Sequence, residues 1–130
     1  GGSSSANRSI KLWADGGTSI TGNTDIDGFS RLGKQAEAAP RIKMKKLSVT
    51  GPAVNALTSY PIGVADAKVL SVSILMNYAG TWKMPPNYTD IPGYEYNYQV
   101  QNGNVVIINK SGNSANVGSK PISILITYEE

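Results

Sequence analysis

From Ile42 onward, apolar residues recur at every second position in short runs separated by glycine, proline, asparagine and serine, and this period of two marks strands half-buried in a sheet. The first run is Ile42 to Val49. Its apolar phase shifts between Met44 and Leu47, which predicts a β-bulge at Lys45 or Lys46, and Gly51-Pro52 ends it. Val69 to Tyr78 predicts a second strand with Leu70, Val72, Ile74 and Met76 on the core face and Val69, Ser71, Ser73 and Leu75 on the other. Tyr94 to Gln101 and Asn104 to Asn109 flank Asn102-Gly103, a pair suited to the positive φ of a type I′ turn, and this hairpin sets Tyr98 opposite Ile107 and Val100 opposite Val105. Ile122, Ile124, Ile126 and Tyr128 form one apolar face of the last run, which predicts a central strand. No window holds a convincing helical period. The expected class is all-β: a small antiparallel β-sandwich or barrel.

Before Pro40 the pattern changes. Residues 8–39 are rich in glycine, threonine and serine, with scattered apolar positions at Ile10, Leu12, Trp13, Ile20, Ile26, Phe29 and Leu32, too sparse to close a core alone. A helical turn is expected within Gly33 to Ala39. The chain therefore divides into a linker and extended, shaft-like leader (1–39) and a sandwich head (40–130), and a leader of this kind gains order by lying against copies of itself. Gly1-Gly2-Ser3-Ser4-Ser5 reads as a flexible linker, and Gly1 to Asn7 lacks the apolar run of a signal peptide.

Composition narrows the chemistry. The 130 residues include neither histidine nor cysteine, which excludes disulfides, Cys/His zinc sites and imidazole- or thiolate-based catalysis. The net charge of +3 comes from the second part, since residues 1–39 hold four basic and four acidic groups and residues 40–130 hold eight and five. Arg41, Lys43, Lys45 and Lys46 alternate with Ile42 and Met44 as one solvated strand face, without the aromatic platforms or helix motif of a nucleic-acid binder. No stretch approaches the apolar length of a membrane span. No nucleic acid, membrane insertion, metal or cofactor is expected. Asp15, Asp25 and Asp27 sit among glycines but match no calcium-loop spacing.

Two features remain for a site. Asp90 and Glu95 are close in sequence, and a carboxylate pair is the device of a glycosidase, but an aspartate in Thr89-Asp90-Ile91-Pro92-Gly93 also serves as a turn residue bonding nearby amides. The stretch from Trp82 to Tyr94 is a proline-stiffened loop carrying aromatics beside Asn and Asp, a composition suited to sugars and protein epitopes because a ring offers area at little entropic cost. Rings in such a loop also close the end of a sandwich. The candidate receptor contacts are Trp82, Asn87, Tyr88 and Asp90, joined by Tyr60 from a second variable stretch; no catalytic residue is assigned.

Lys120-Pro121-Ile122-Ser123-Ile124-Leu125-Ile126-Thr127-Tyr128-Glu129-Glu130, preceded by Asn109-Lys110-Ser111-Gly112-Asn113-Ser114, by Pro85-Pro86-Asn87-Tyr88-Thr89 and by Gly93-Tyr94-Glu95-Tyr96-Asn97-Tyr98, resembles the C-terminal tips of bacteriophage and prophage tail-fibre proteins. Ala39 to Lys46 resembles the passage from shaft to tip in such fibres, so the likeness spans roughly Ala39 to Glu130. It implies a non-enzymatic, homotrimeric fibre end, extracellular on the virion, that attaches to a bacterial surface polysaccharide or surface protein. One departure stands out. The family tends to carry a His-Gly pair before the second strand where this chain has Ile62-Gly63, so no role of that imidazole transfers. Pro-Pro-Asn-Tyr-Thr and Gly-Tyr-Glu-Tyr belong to the family's shared text, which points to Pro52 to Ala67 as an alternative seat of host choice.

Overall fold

The computed structural model describes residues 20–130, so the expectations for Ile10, Leu12, Trp13 and Asp15 lie outside the described residues. The protein is all-β, with eight strands and two short 3-10 turns among those residues. β1 (Ser30–Arg31), β2 (Arg41–Thr50), β8 (Pro121–Glu129), β4 (Val69–Ala79) and β5 (Trp82–Met84) form one antiparallel sheet in the spatial order β1-β2-β8-β4-β5. β3 (Leu57–Pro61), β7 (Asn104–Asn109) and β6 (Tyr96–Gln101) form the second, in the order β3-β7-β6. The final run is central, between β2 and β4, and its three isoleucines explain why: Ile122, Ile124 and Ile126 are all buried, so β8 needs a neighbour on each side and a sheet above.

The core lies between the sheets. Ile74, Met76, Met84, Ile122, Ile124 and Ile126 from the larger sheet meet Tyr60, Tyr96, Val105 and Ile107 from the smaller, with Ile62 and Val117 closing it from loops. Three tyrosines of the smaller sheet cross this layer and donate their hydroxyls to carbonyls of the larger: Tyr60 to Thr50, Tyr96 to Met84 at 2.7 Å and Tyr98 to Val72 at 2.9 Å. A buried phenol needs such a partner, and here each partner is a backbone group of β2, β4 or β5, the strands toward the rims of the larger sheet. Burial raises the phenol pKa of both Tyr60 and Tyr96, only partly opposed in Tyr60 by a hydrogen bond with Thr58 and in Tyr96 by one with the Met76 backbone.

The hairpin register matches the sequence expectation, with Tyr98 opposite Ile107 and Val100 opposite Val105. The bulge expected in β2 is absent: its pairing with β8 runs unbroken from Ile42↔Glu129 to Thr50↔Pro121. The apolar phase changes because the environment changes along one regular strand. Leu47 and Val49 face the core, whereas Met44 is 64% exposed on the opposite face. Lys45 shares the inward phase, and its Nζ bonds to the Ile62 carbonyl at 2.8 Å. A bulge does occur in β4, between Val69 and Ser71, and Leu70 at that position is 47% exposed, so it leaves the core face assigned to it.

Register also defines two ends. At the near end the chain enters β2, Glu130 N–H bonds to Arg41 C=O at 3.0 Å, and Asp66 accepts the amides of Asn102 and Gly103 at 2.7 and 2.8 Å, which pins the hairpin turn. The helical turn expected in the leader is a 3-10 turn at Gln35–Glu37. At the far end lie the β2–β3 loop, the β4–β5 turn, the β5–β6 loop and the β7–β8 loop. No helix of the described residues is long and apolar enough to cross a membrane.

Candidate functional site at the far end

The far-end loops are joined mainly by amide side chains bonding backbone groups. Asn55, held in the left-handed region at φ 59°, accepts from the Gly112 amide at 2.9 Å, while its own amide bonds to Ser114 Oγ at 2.9 Å. Asn109, 2% exposed, donates Nδ2 to the carbonyls of Pro52 and Ala53, both at 2.9 Å. The β5–β6 loop is tied in turn to the β7–β8 loop. Glu95 N–H bonds to Asn113 C=O at 2.9 Å, Asn116 N–H to Gly93 C=O at 2.8 Å, and the Gly93 amide to the Asn113 side chain. Gly93 is required here, because its φ is +93° and a Cβ would sit 2.6 Å from Asn116 Nδ2. With Pro85, Pro86 and Pro92 restricting the same loop, its backbone is set before any ligand arrives.

On this frame the predicted contacts separate. Trp82, beside the Gly80-Thr81 turn, is 71% exposed. Asn87 is exposed at φ 58°, with its N–H bonded to Tyr96 C=O at 2.8 Å, and Asp90 is exposed on the same loop. Tyr88 is half-buried and packs on the core, so its ring serves the scaffold as well as the surface. Tyr60 is a correction. It is a core residue, 9% exposed, with its hydroxyl bonded to Thr50, and its assignment as a contact fails because an inward position on β3 turns the ring away from solvent. The stretch from Pro52 to Ala67 is likewise not one surface: residues 52–56 lie at the far end, 57–61 form β3, and 62–67 lie at the near end.

Several members of the far end escape a reading of local sequence. Tyr78, Tyr94 and Lys120 come from three segments and meet there: the two rings stack edge to face at 4.7 Å, Tyr94 donates its hydroxyl to that of Tyr78 at 2.6 Å, and Lys120 Nζ lies 5.7 Å from the Tyr78 ring centroid. The hydrogen bond to Tyr78 raises the Tyr94 pKa, helped by burial and by the charges that Tyr78 and Tyr88 would carry once ionised. Ile91 and Val54 add apolar area, at 50% and 45% exposure. The only signal in the sequence was position, since each residue borders a turn.

The carboxylates are differently employed. Glu95 is half-buried, accepts from Asn113 Nδ2 at 2.9 Å and pairs with Lys110 at 3.7 Å, so it joins two loops, while Asp90 faces solvent. Among the described residues no group of three or more acidic side chains is placed to hold a metal ion. The arrangement offers an exposed indole, neighbouring amide, carboxylate and ammonium groups, and a fixed backbone: a surface on which a ring or an epitope can rest and be oriented. Comparison with protein-family models, curated proteins and solved structures found no match for this chain.

Proposed function

We propose that this chain is the non-enzymatic receptor-binding tip of a phage or phage-like tail fibre, borne extracellularly on the virion as a homotrimer with residues 1–39 as the last piece of shaft. Its target is a polysaccharide or protein of the bacterial surface; nucleic acid and membrane insertion play no part. The observation that carries this reading is the exposed Trp82 on a pre-set far end, opposite the end where the chain enters the head. A fibre tip needs that polarity. Attachment at one end and recognition at the other let several copies face a cell at once, and weak single-site contacts then combine through effective concentration. The structural employment of Glu95 favours binding over carboxylate catalysis.

Pull-down of the labelled full chain onto a panel of bacterial strains tests the proposal. Strain-selective binding that periodate or protease treatment of the cells removes is the expected result, and the effective treatment identifies the target as glycan or protein. Absence of binding to every strain overturns it. Polysaccharide turnover that is lost when Asp90 and Glu95 are both changed to their amides would replace it with an enzyme.

A further inference from the structure

The outer face of the five-stranded sheet has no partner within the described residues. Register places Met44, Thr127 and Ser71 in one row, Lys46, Leu125 and Ser73 in the next, and Ser48, Ser123 and Leu75 in a third. Their phase is opposite to that of Leu47, Ile124 and Ile74, which point into the core. On this outward side Met44 is 64% exposed, Leu125 40% and Leu75 38%. Such a face on a solvated sheet would ordinarily carry charged side chains. Here, across β2, β8 and β4, it carries two, Lys46 and Glu129, and they are of opposite sign.

The leader extends the same surface. Ser30 pairs with Ile42, so β1 joins the sheet beside Met44, and a groove of about 520 Å³ opens there between Ile26, Ser30, Leu32, Ile42 and Met44. Ile26 is 63% exposed and Leu32 80%. Phe29 turns the other way, with its ring edge to face against Tyr128 at 5.8 Å and Lys43 Nζ 4.9 Å from its centroid. One side of the leader is thus fastened to the head, and the other adds apolar side chains to the exposed sheet face.

We infer that this face, from the leader groove across Met44 and Leu125 to Leu75, packs against a second copy of this chain. Size is the first argument. Three strands spaced ~4.8 Å apart, with nine paired positions rising ~3.3 Å each, give roughly 430 Å² in projection. Side-chain relief and the leader groove bring the accessible surface toward the ~800 Å² per partner of a standard interface. Continuity is the second, because leader and head belong to one chain and present their apolar sides together, so a rotated copy of the same chain can cover both in one docking event. Depletion of charge with small hydroxyls between exposed Leu and Met is also the composition of an interface centre.

The inference concerns how copies meet, and it rests on the proposed function only in expecting self-association. Sedimentation of the full chain at micromolar concentration should show an oligomer, and Leu125→Asp should convert it to monomers that keep a β-rich circular dichroism spectrum, because the site is exposed in the single chain. A monomeric parent, or a Leu125→Asp variant with unchanged oligomeric state, overturns the inference. Since the chain has no cysteine, single variants report the face directly. Ser73→Cys on this face should react with a maleimide about tenfold more slowly than Ser59→Cys on the outside of the smaller sheet, as a position within an interface centre is shielded from solvent. Equal rates overturn it. Three copies with a freely reactive Ser73→Cys would remove this face and leave the homotrimer, whereas two copies with a protected Ser73→Cys would do the reverse.

Discussion

Tyr96→Phe removes one oxygen from the centre of the sandwich and separates two opposing effects of that oxygen. The ring is fully buried, and its hydroxyl donates to the Met84 carbonyl at 2.7 Å, joining the smaller sheet to the β5 rim of the larger. At pH 7 deletion leaves that carbonyl without this donor, which costs about 1–3 kcal/mol. For a domain of this size the melting temperature should fall by roughly 4–15 °C. Alkaline pH reverses the balance. Burial raises the folded-state pKa of Tyr96 well above the ordinary phenol value of about 10, so the unfolded chain releases the proton first. The neutral phenol's contribution is fully present below about pH 10 and declines as pH rises beyond it, by about 1.4 kcal/mol at pH 11. Phenylalanine has no such loss. The gap in melting temperature between parent and variant should therefore narrow sharply or close between pH 7 and pH 11, when thermal unfolding is followed by circular dichroism. Tyr60 is common to both proteins and its own alkaline effect cancels. A gap that stays constant over this range, or no gap at pH 7, refutes the reasoning.

Gly93→Ala should cost about 1–3 kcal/mol, since it combines a positive φ with a Cβ set 2.6 Å from Asn116 Nδ2, and denaturant titration should show a lower midpoint. Asp66→Ala removes the acceptor of the Asn102 and Gly103 amides, so hydrogen exchange at those two amides should accelerate while global stability falls by about 1 kcal/mol. Tyr88→Ala should lower stability by about 1–3 kcal/mol in calorimetry, because the half-buried ring packs on the core.

How much the sequence revealed depended on how local the signal was. The Asn102-Gly103 hairpin and the inward isoleucines of β8 were legible because turn chemistry and a period of two act within a few residues. β3 and β5 were missed: Leu57-Thr58-Ser59-Tyr60-Pro61 includes a proline, as an edge strand allows, and Trp82–Met84 is too short to show a period. The presumed bulge at Lys45 or Lys46 misread a change in surroundings as a change in backbone, since only the later part of β2 lies over the core. At the far end the Trp82 to Tyr94 loop stood out through its prolines and rings. Tyr78 and Lys120 did not, because their meeting with Tyr94 depends on pairing between segments distant in sequence. Tyr60 was misplaced for the same reason, as β3 has too little alternation to indicate which side of the strand faces inward.

The central claim is that the far end binds a bacterial surface, and Trp82→Ala tests it most directly. The indole is 71% exposed, so its loss should change stability by no more than about 0.5 kcal/mol. Parent and variant, matched for oligomeric state and melting temperature, are titrated onto a strain that the parent binds. The account predicts that Trp82→Ala loses cell binding by at least about tenfold, as expected for an aromatic anchor contributing more than about 1.4 kcal/mol. Undiminished binding by a folded Trp82→Ala protein would contradict it.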